Sequence, residues 1–140
     1  KRENIILKEA NMIKLKKANK WQPHYFLIYD KKQEVGTLEF IKKDNILIIA
    51  YLKIYPEYQH KHYGYQVIDY LFSHYKFNCI VGETLKESRG FWNKCIHKYN
   101  GMRRNFHYSY NCTSSFVIPR QEISYTQIWD LLDYSYNIIY

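Results

Sequence analysis

The hydrophobic pattern of this chain changes its period along its length, and each change marks a new element. Residues 4–18 alternate weakly, in Asn4-Ile-Ile-Leu-Lys and Met12-Ile-Lys-Leu-Lys, which predicts one or two edge strands guarded by lysine. The signal then sharpens. His24 to Tyr29 predicts a strand, Lys31 to Glu34 a turn, and Val35 to Ile41 its antiparallel partner. A second turn at Lys42 to Asn45 leads into a long third strand, Ile46 to Tyr55.

After Pro56 the apolar positions Val67, Ile68, Leu71, Phe72 and Tyr75 fall at helical spacing, so residues 63–76 are expected to form a helix with one apolar stripe. A short strand is expected at Asn78 to Gly82. Thr84-Leu-Lys-Glu87 has the spacing of a capping box, and Phe91, Trp92, Cys95, Ile96 and Tyr99 continue a second amphipathic helix behind it. Beyond Asn100-Gly101 two strands are expected, Arg103 to Tyr110 and Ser114 to Ile118. Ser124 to Gln127 opens a last helix through another capping box, with Ile128, Leu131, Leu132 and Ile138 on one side. A meander joined to a strand-helix-strand-helix unit predicts an α+β fold with a mixed, mostly antiparallel sheet, and no linker divides residues 1–140, so a single domain is expected.

Composition narrows the function classes. With 46% hydrophobic and 24% charged residues the chain is neither disordered nor fibrous, and its longest apolar run, Ile46 to Leu52, is far short of a membrane span, so no membrane partner is expected. Three widely spaced cysteines, Cys79, Cys95 and Cys112, fit neither a disulfide framework nor a zinc ribbon, and a reducing, cytoplasmic setting is expected. Twenty-one basic residues against 13 acidic ones give a net charge of +8, which favours an anionic partner: nucleic acid, a phosphorylated cofactor, or solvent ions alone. The 16 tyrosines fall mostly in strand and helix text, where packing explains them as well as base stacking does.

Candidate chemistry gathers where the long strand meets the first helix. Pro56 to Tyr65 forms a turn with a glycine at a helix N-terminus, where free backbone N–H groups and the positive end of the helix dipole favour a phosphate. His60-x-His62 lacks a supporting carboxylate or cysteine at metal-ligand spacing, so no metal is expected. Cys95 sits on an apolar helix face, where a core role competes with a nucleophilic one. Glu83 closes the inner parallel strand, where ligands bind in such sheets; it reads as a catalytic carboxylate or as charge complement to the next helix. Tyr99, Tyr108 and Tyr110 are candidate acids.

The segment Leu52-Lys-Ile54-Tyr-Pro56-Glu57-Tyr58, followed by Gln59-His-Lys-His62-Tyr-Gly64, resembles the signature of the GCN5-related N-acetyltransferases, a strand written L-x-V-x-P-E-Y and then (Q/R)-x-x-G-x-(G/A). Ser88-x-x-Phe91-Trp92-x-Lys94 extends the resemblance, which covers about residues 24–100. It implies a βαβα coenzyme-binding unit and acetyl-CoA, or another acyl-CoA, as cofactor. Gln59, His60, Lys61, His62, Tyr63, Gly64 and Tyr65 would hold the pyrophosphate, Leu52, Ile54 and Tyr55 the pantetheine arm, and Ser88 and Trp92 would complete the coenzyme contacts. Amides near Ile54 would polarise the thioester carbonyl.

His62 stands at the family's first glycine position, and Trp92 where a tyrosine commonly protonates the leaving thiolate. The position one turn before the loop lies in Ile46-Leu-Ile-Ile, which has no titratable group, and Gly101-Met102 follows about five residues later than the family's Gly-Phe. The function implied is an N-acetyltransferase that moves an acetyl group to an amine of unknown identity by direct attack, with Glu83 and Tyr99 as catalytic candidates. Two other readings stay open: an acyl-CoA-binding interaction module without strong catalysis, and a nucleic-acid-directed member of the fold. The last helix is either a lid or a homodimer face.

Overall fold

The computed structural model describes residues 13–105, 112–120, 124, 126, 127 and 130. The chain divides into two compact units. The first takes in the chain up to Phe40 together with Tyr51–Lys76; the second takes in Ile41–Ala50 and the chain from Phe77 onward. Strands β3 (Gln33–Lys43) and β4 (Ile46–Ile54) each contribute to both.

In the first unit, β1 (Ile13–Lys17) pairs antiparallel with β2 (Tyr25–Asp30), from Ile13 opposite Asp30 to Lys17 opposite Phe26. β2 pairs antiparallel with β3, with a bulge between Ile28 and Tyr29. The hydrogen-bonded order here is β1-β2-β3-β4. The predicted meander is present, with tighter turns: Lys31 and Lys32 make the first, Asp44 and Asn45 the second, and β3 extends at both ends. Lys31 and Asp44 take left-handed φ of 56° and 54°, the conformation that lets so short a connection reverse the chain. Helix α1 (Tyr63–His74) lays Val67, Ile68 and Leu71 into a core with Ile13, Ile28, Val35 and Leu38, all 2% exposed or less. Phe40 stacks on Phe26 at 5.0 Å between ring centroids and meets Tyr75 edge-on at 5.4 Å.

In the second unit, Ile46 to Ile49 pair in parallel with Cys79 to Gly82 of β5 (Cys79–Leu85). All four residues of that β4 stretch are buried, as expected of a parallel strand covered on both faces. β5 pairs antiparallel with β7 (Cys112–Pro119), which pairs antiparallel with β6 (Met102–Asn105), giving the order β4-β5-β7-β6. Helix α2 (Arg89–Lys98) packs on β7 and β5, burying Trp92 and Cys95. The Trp92 ring stacks on Phe116 at 4.2 Å.

This is the α+β, mostly antiparallel sheet with a strand-helix-strand-helix unit that the hydrophobic pattern predicts, with one correction. β5 continues three residues past Gly82, so Thr84 is not a helix cap: it pairs with Ser114 on β7 and is fully buried. Its β-branched side chain suits the strand, and a turn of 3-10 helix (Lys86–Ser88) separates it from α2, whose N-cap is Ser88. The strand expected to Tyr110 is described only to Asn105. The last capping box does form: Gln127 Oε1 accepts from the Ser124 N–H at 3.0 Å, and the Gln127 N–H donates to Ser124 Oγ at 3.3 Å. Most of the helix it would start, and Tyr108 and Tyr110, lie outside the described residues. No helix among the described residues is long and apolar enough to cross a membrane.

Candidate functional site

The junction between β4 and α1 is built to leave main-chain donors unpaired. Tyr55 N–H donates to Val35 O at 2.9 Å and closes the strand. A turn of 3-10 helix (Pro56–Tyr58) follows, held by Tyr58 N–H to Tyr55 O at 2.8 Å and Gln59 N–H to Pro56 O at 3.3 Å. Gln59 folds its side-chain amide back onto Ile54 O at 3.0 Å. The chain then steps through left-handed conformations at His60, φ 63°, and His62, φ 67°, before α1 begins. The first bond of α1 is Gln66 N–H to His62 O, so the N–H groups of His60, Lys61, His62, Tyr63 and Gly64 engage no backbone acceptor among the described residues.

These five donors sit at the positive end of the helix dipole with no acidic residue in its first turn, and His60, Lys61 and His62 are exposed. An anion with several oxygens is the group such a concavity can hold. The left-handed conformation at His62 costs a side chain about 1–2 kcal/mol, which glycine at this position would avoid.

Two ties fix the loop, and the sequence pattern does not reveal them. Tyr55 Oη donates to Glu34, and Tyr63 Oη donates to Asp30. The carboxylates flank the β2–β3 turn, while the tyrosines stand at either end of the loop, so one hairpin holds both ends. Each carboxylate acceptor pushes its tyrosine up to about 12, with burial adding to the same direction. The partners lie 21 and 33 residues apart in the chain, beyond the reach of any local motif.

Gly36 on β3 is a third residue that the pattern misses. A Cβ there would lie 2.1 Å from Lys53 O and 3.1 Å from Ile54 Cα, so only glycine admits this approach to the end of β4. Because a trans peptide sets its carbonyl and N–H on opposite sides, the Ile54 N–H points away from β3. Leu52 and Ile54, half-buried, alternate with exposed Tyr51 and Lys53.

The remaining candidates lie in the second unit. Glu83 is half-buried near the end of β5, with its Oε1 buried and without a hydrogen-bond partner; the same is true of Ser115 Oγ, directly opposite on β7. A buried polar atom left unpaired costs about 1–3 kcal/mol, so this is a place where the protein retains polarity against its own stability. Ser88 Oγ donates to Leu85 O at 3.3 Å. Trp92, 4% exposed and stacked on Phe116, serves the core. Tyr99 ends α2, its N–H on Cys95 O at 2.9 Å, and the Lys98 ammonium lies 5.7 Å from its ring centroid. No hydrogen bond joins Tyr99 to Glu83.

Cys95 is fully buried, and burial pushes the Cys79 thiol up to about 12, so Cys95 lacks the exposure and Cys79 the low pKa of a nucleophile. Arg103 donates to Asn93 Oδ1 at 2.8 Å. Among the described residues no group of three histidines, cysteines or carboxylates could hold a metal ion.

No family model matches the chain, and no curated protein is similar to it at a significant level. Solved structures are. An acetyltransferase from Thermus thermophilus superposes with a TM-score of 0.56 at 12% identity, over 85% of this chain and 71% of that one. The ribosomal-protein-S18-alanine N-acetyltransferase from Escherichia coli gives 0.56 at 10% identity, over 86% and 79%. The Bacillus subtilis N-acetyltransferase YlbP, solved in complex with coenzyme A, gives 0.52 at 16% identity, over 69% and 68%. The strand order and the parallel β4–β5 crossover agree with what Leu52 to Gly64 imply: this chain has the fold of the GCN5-related N-acetyltransferases.

Proposed function

We propose that this protein is an acyl-CoA-dependent N-acyltransferase that moves an acetyl group from acetyl-CoA to an amine. The observation that carries the reading is the run of five unengaged N–H groups from His60 to Gly64, at a helix start free of acidic residues, on a fold shared with acetyltransferases. Acetyl-CoA would supply the activated thioester. His60 to Tyr65 would bind its pyrophosphate, and Leu52, Ile54 and Tyr55 would line its pantetheine arm through main-chain groups. The Ile54 N–H, turned away from β3, would polarise the acyl carbonyl and stabilise the oxyanion that forms as the amine attacks.

Glu83 would take the proton from the attacking nitrogen. Trp92 is a buried core residue whose indole N–H is no acid at neutral pH, so the leaving thiolate would draw its proton from Tyr99, from solvent or from protonated Glu83. The Escherichia coli neighbour is named for an alanine acceptor, which is consistent with a primary amine as the acceptor class here.

Coenzyme A binding tests the reading directly. Acetyl-CoA at millimolar concentration should raise the melting temperature and shift amide signals of residues 59–65, and Gly64→Asp should remove both effects by setting a carboxylate against the pyrophosphate. Neither effect in the wild-type protein would overturn the coenzyme site. Binding without turnover on any amine would leave an acyl-CoA-binding module.

A further inference from the structure

Both buried side-chain oxygens that lack a partner among the described residues, Glu83 Oε1 and Ser115 Oγ, stand on one rung of the sheet. Antiparallel partners point to the same face, so the two side chains are neighbours. Their face is the one turned from α2, because the adjacent rung pairs Gly82 with Phe116, whose ring stacks on Trp92 of that helix. Ser115 is fully buried, whereas Glu83 is half-buried. Oε1 is therefore the carboxylate oxygen turned inward toward the serine.

A serine hydroxyl can donate, and a carboxylate only accepts. A buried polar pair that is close but not bonded is the situation ordered water resolves. We propose that Ser115 is the positioning residue of Glu83: its hydroxyl, through one buried water, holds Oε1 and so fixes the carboxylate that receives the acceptor's proton. This rests on Glu83 as the base in the acyl transfer proposed above. The nearest same-face positions on β5 and β7 do not replace the serine. Cys79, on the same face of β5, is held neutral by burial, and Val81 and Val117 between are apolar. On β6, Arg104 stands opposite Ser115 in the register, and on β4 the pairing ends with Ile49 opposite Gly82.

The test is the titration of Glu83, followed by carbon NMR in protein labelled at glutamate carboxyls and assigned with Glu83→Gln. Hydrogen bonding to the charged form lowers a carboxyl pKa, so Ser115→Ala should raise the Glu83 midpoint by about one pH unit. Ser115→Thr, which keeps the hydroxyl on a strand that suits it, should restore the wild-type value, and the acid limb of kcat/KM should follow the same order. A midpoint unchanged in folded Ser115→Ala overturns the proposal. Should that variant fail to fold, Ser115→Cys, nearly isosteric with a weak donor, must show most of the shift. The base reading fails separately, if Glu83→Gln keeps wild-type turnover and pH profile; the midpoints in the serine variants still decide whether Ser115 holds the carboxyl.

Discussion

The two units solve opposite problems with polar groups. In the first, the chemistry sits in the main chain and the side chains restrain it: Tyr55 and Tyr63 are tied to Glu34 and Asp30, and the N–H groups from His60 to Gly64 have no backbone partner among the described residues. In the second, the main chain of β5 pairs with β7 from Cys79 to Leu85, and the side-chain oxygens of Glu83 and Ser115 are the buried groups left without a partner among the described residues. A site made of backbone donors tolerates many side chains and needs a fixed chain path. A site made of side chains on a strand inherits its path from the sheet and depends on the residues themselves. Substitutions in the first unit should therefore act on binding through geometry, and those in the second on proton transfer through identity.

The largest expected effect comes from attacking geometry at a residue with no side chain. Gly36→Ala would set a methyl 2.1 Å from Lys53 O, a backbone atom that no rotamer change can move aside. β3 or β4 must shift, at a cost of about 3 kcal/mol, the upper end of what overpacking usually costs. Chemical denaturation should show that loss, and coenzyme affinity should fall with it, because the same shift turns the Ile54 N–H. Wild-type stability in Gly36→Ala would mean the end of β4 is free to adjust, and the contrast between a geometric unit and a chemical one would weaken.

How much of this is legible in the sequence follows the same division. The loop is legible because backbone chemistry leaves a spacing: proline, glutamate and tyrosine, then glutamine, then glycine, whatever stands between. Glu83 stands out because the end of a buried strand is a place where carboxylates need a reason. Asp30 and Glu34 leave no trace, since their tyrosine partners are reached only through the fold. Ser115 is one serine in strand text, and only its register partner gives it meaning. Thr84 misleads because Thr-x-x-Glu fits a helix cap and a strand end equally well, and the antiparallel pairing with β7, which local pattern does not contain, decides for the strand. The same rule reads the capping box at Ser124 and Gln127 correctly.

A smaller effect should follow from releasing the tyrosine ties. Tyr63→Phe removes the donor that Asp30 holds and keeps the ring, whose edge meets Tyr58 at 6.3 Å. A hydrogen bond to a charged group contributes about 1.5–3 kcal/mol when well formed, and a part-exposed one such as this falls at or below the low end. Coenzyme A affinity should fall up to about tenfold, with kcat for bound substrate nearly unchanged, because the chemistry is not in the ring. Tyr55→Phe should behave alike, and calorimetric titration of coenzyme A against each variant checks it. A fall in kcat without a change in affinity would place the tyrosine in the reaction rather than in the restraint.

The mildest test uses pH, and it separates the carboxylate ties from burial as causes. Tyr55 and Tyr63 are pushed up from 10.0 to about 12 first by their carboxylate acceptors, whereas Cys79 is pushed up from 9.0 to about 12 by burial alone. In each case the folded state binds its proton more tightly than the unfolded state. The stabilisation is therefore complete below the unfolded value and is lost as pH rises toward about 12. Tyrosinate absorbance should show that Tyr75, which burial pushes up, and the tied pair Tyr55 and Tyr63 stay protonated past pH 10 in the folded wild-type protein, the pair longest. Asp30→Asn with Glu34→Gln should bring Tyr55 and Tyr63 back toward 10 while leaving the Cys79 thiol as slow to alkylate as before. If the carboxylate variants leave the tyrosine titration unchanged, burial rather than the ties governs both units, and the loop owes its shape to packing.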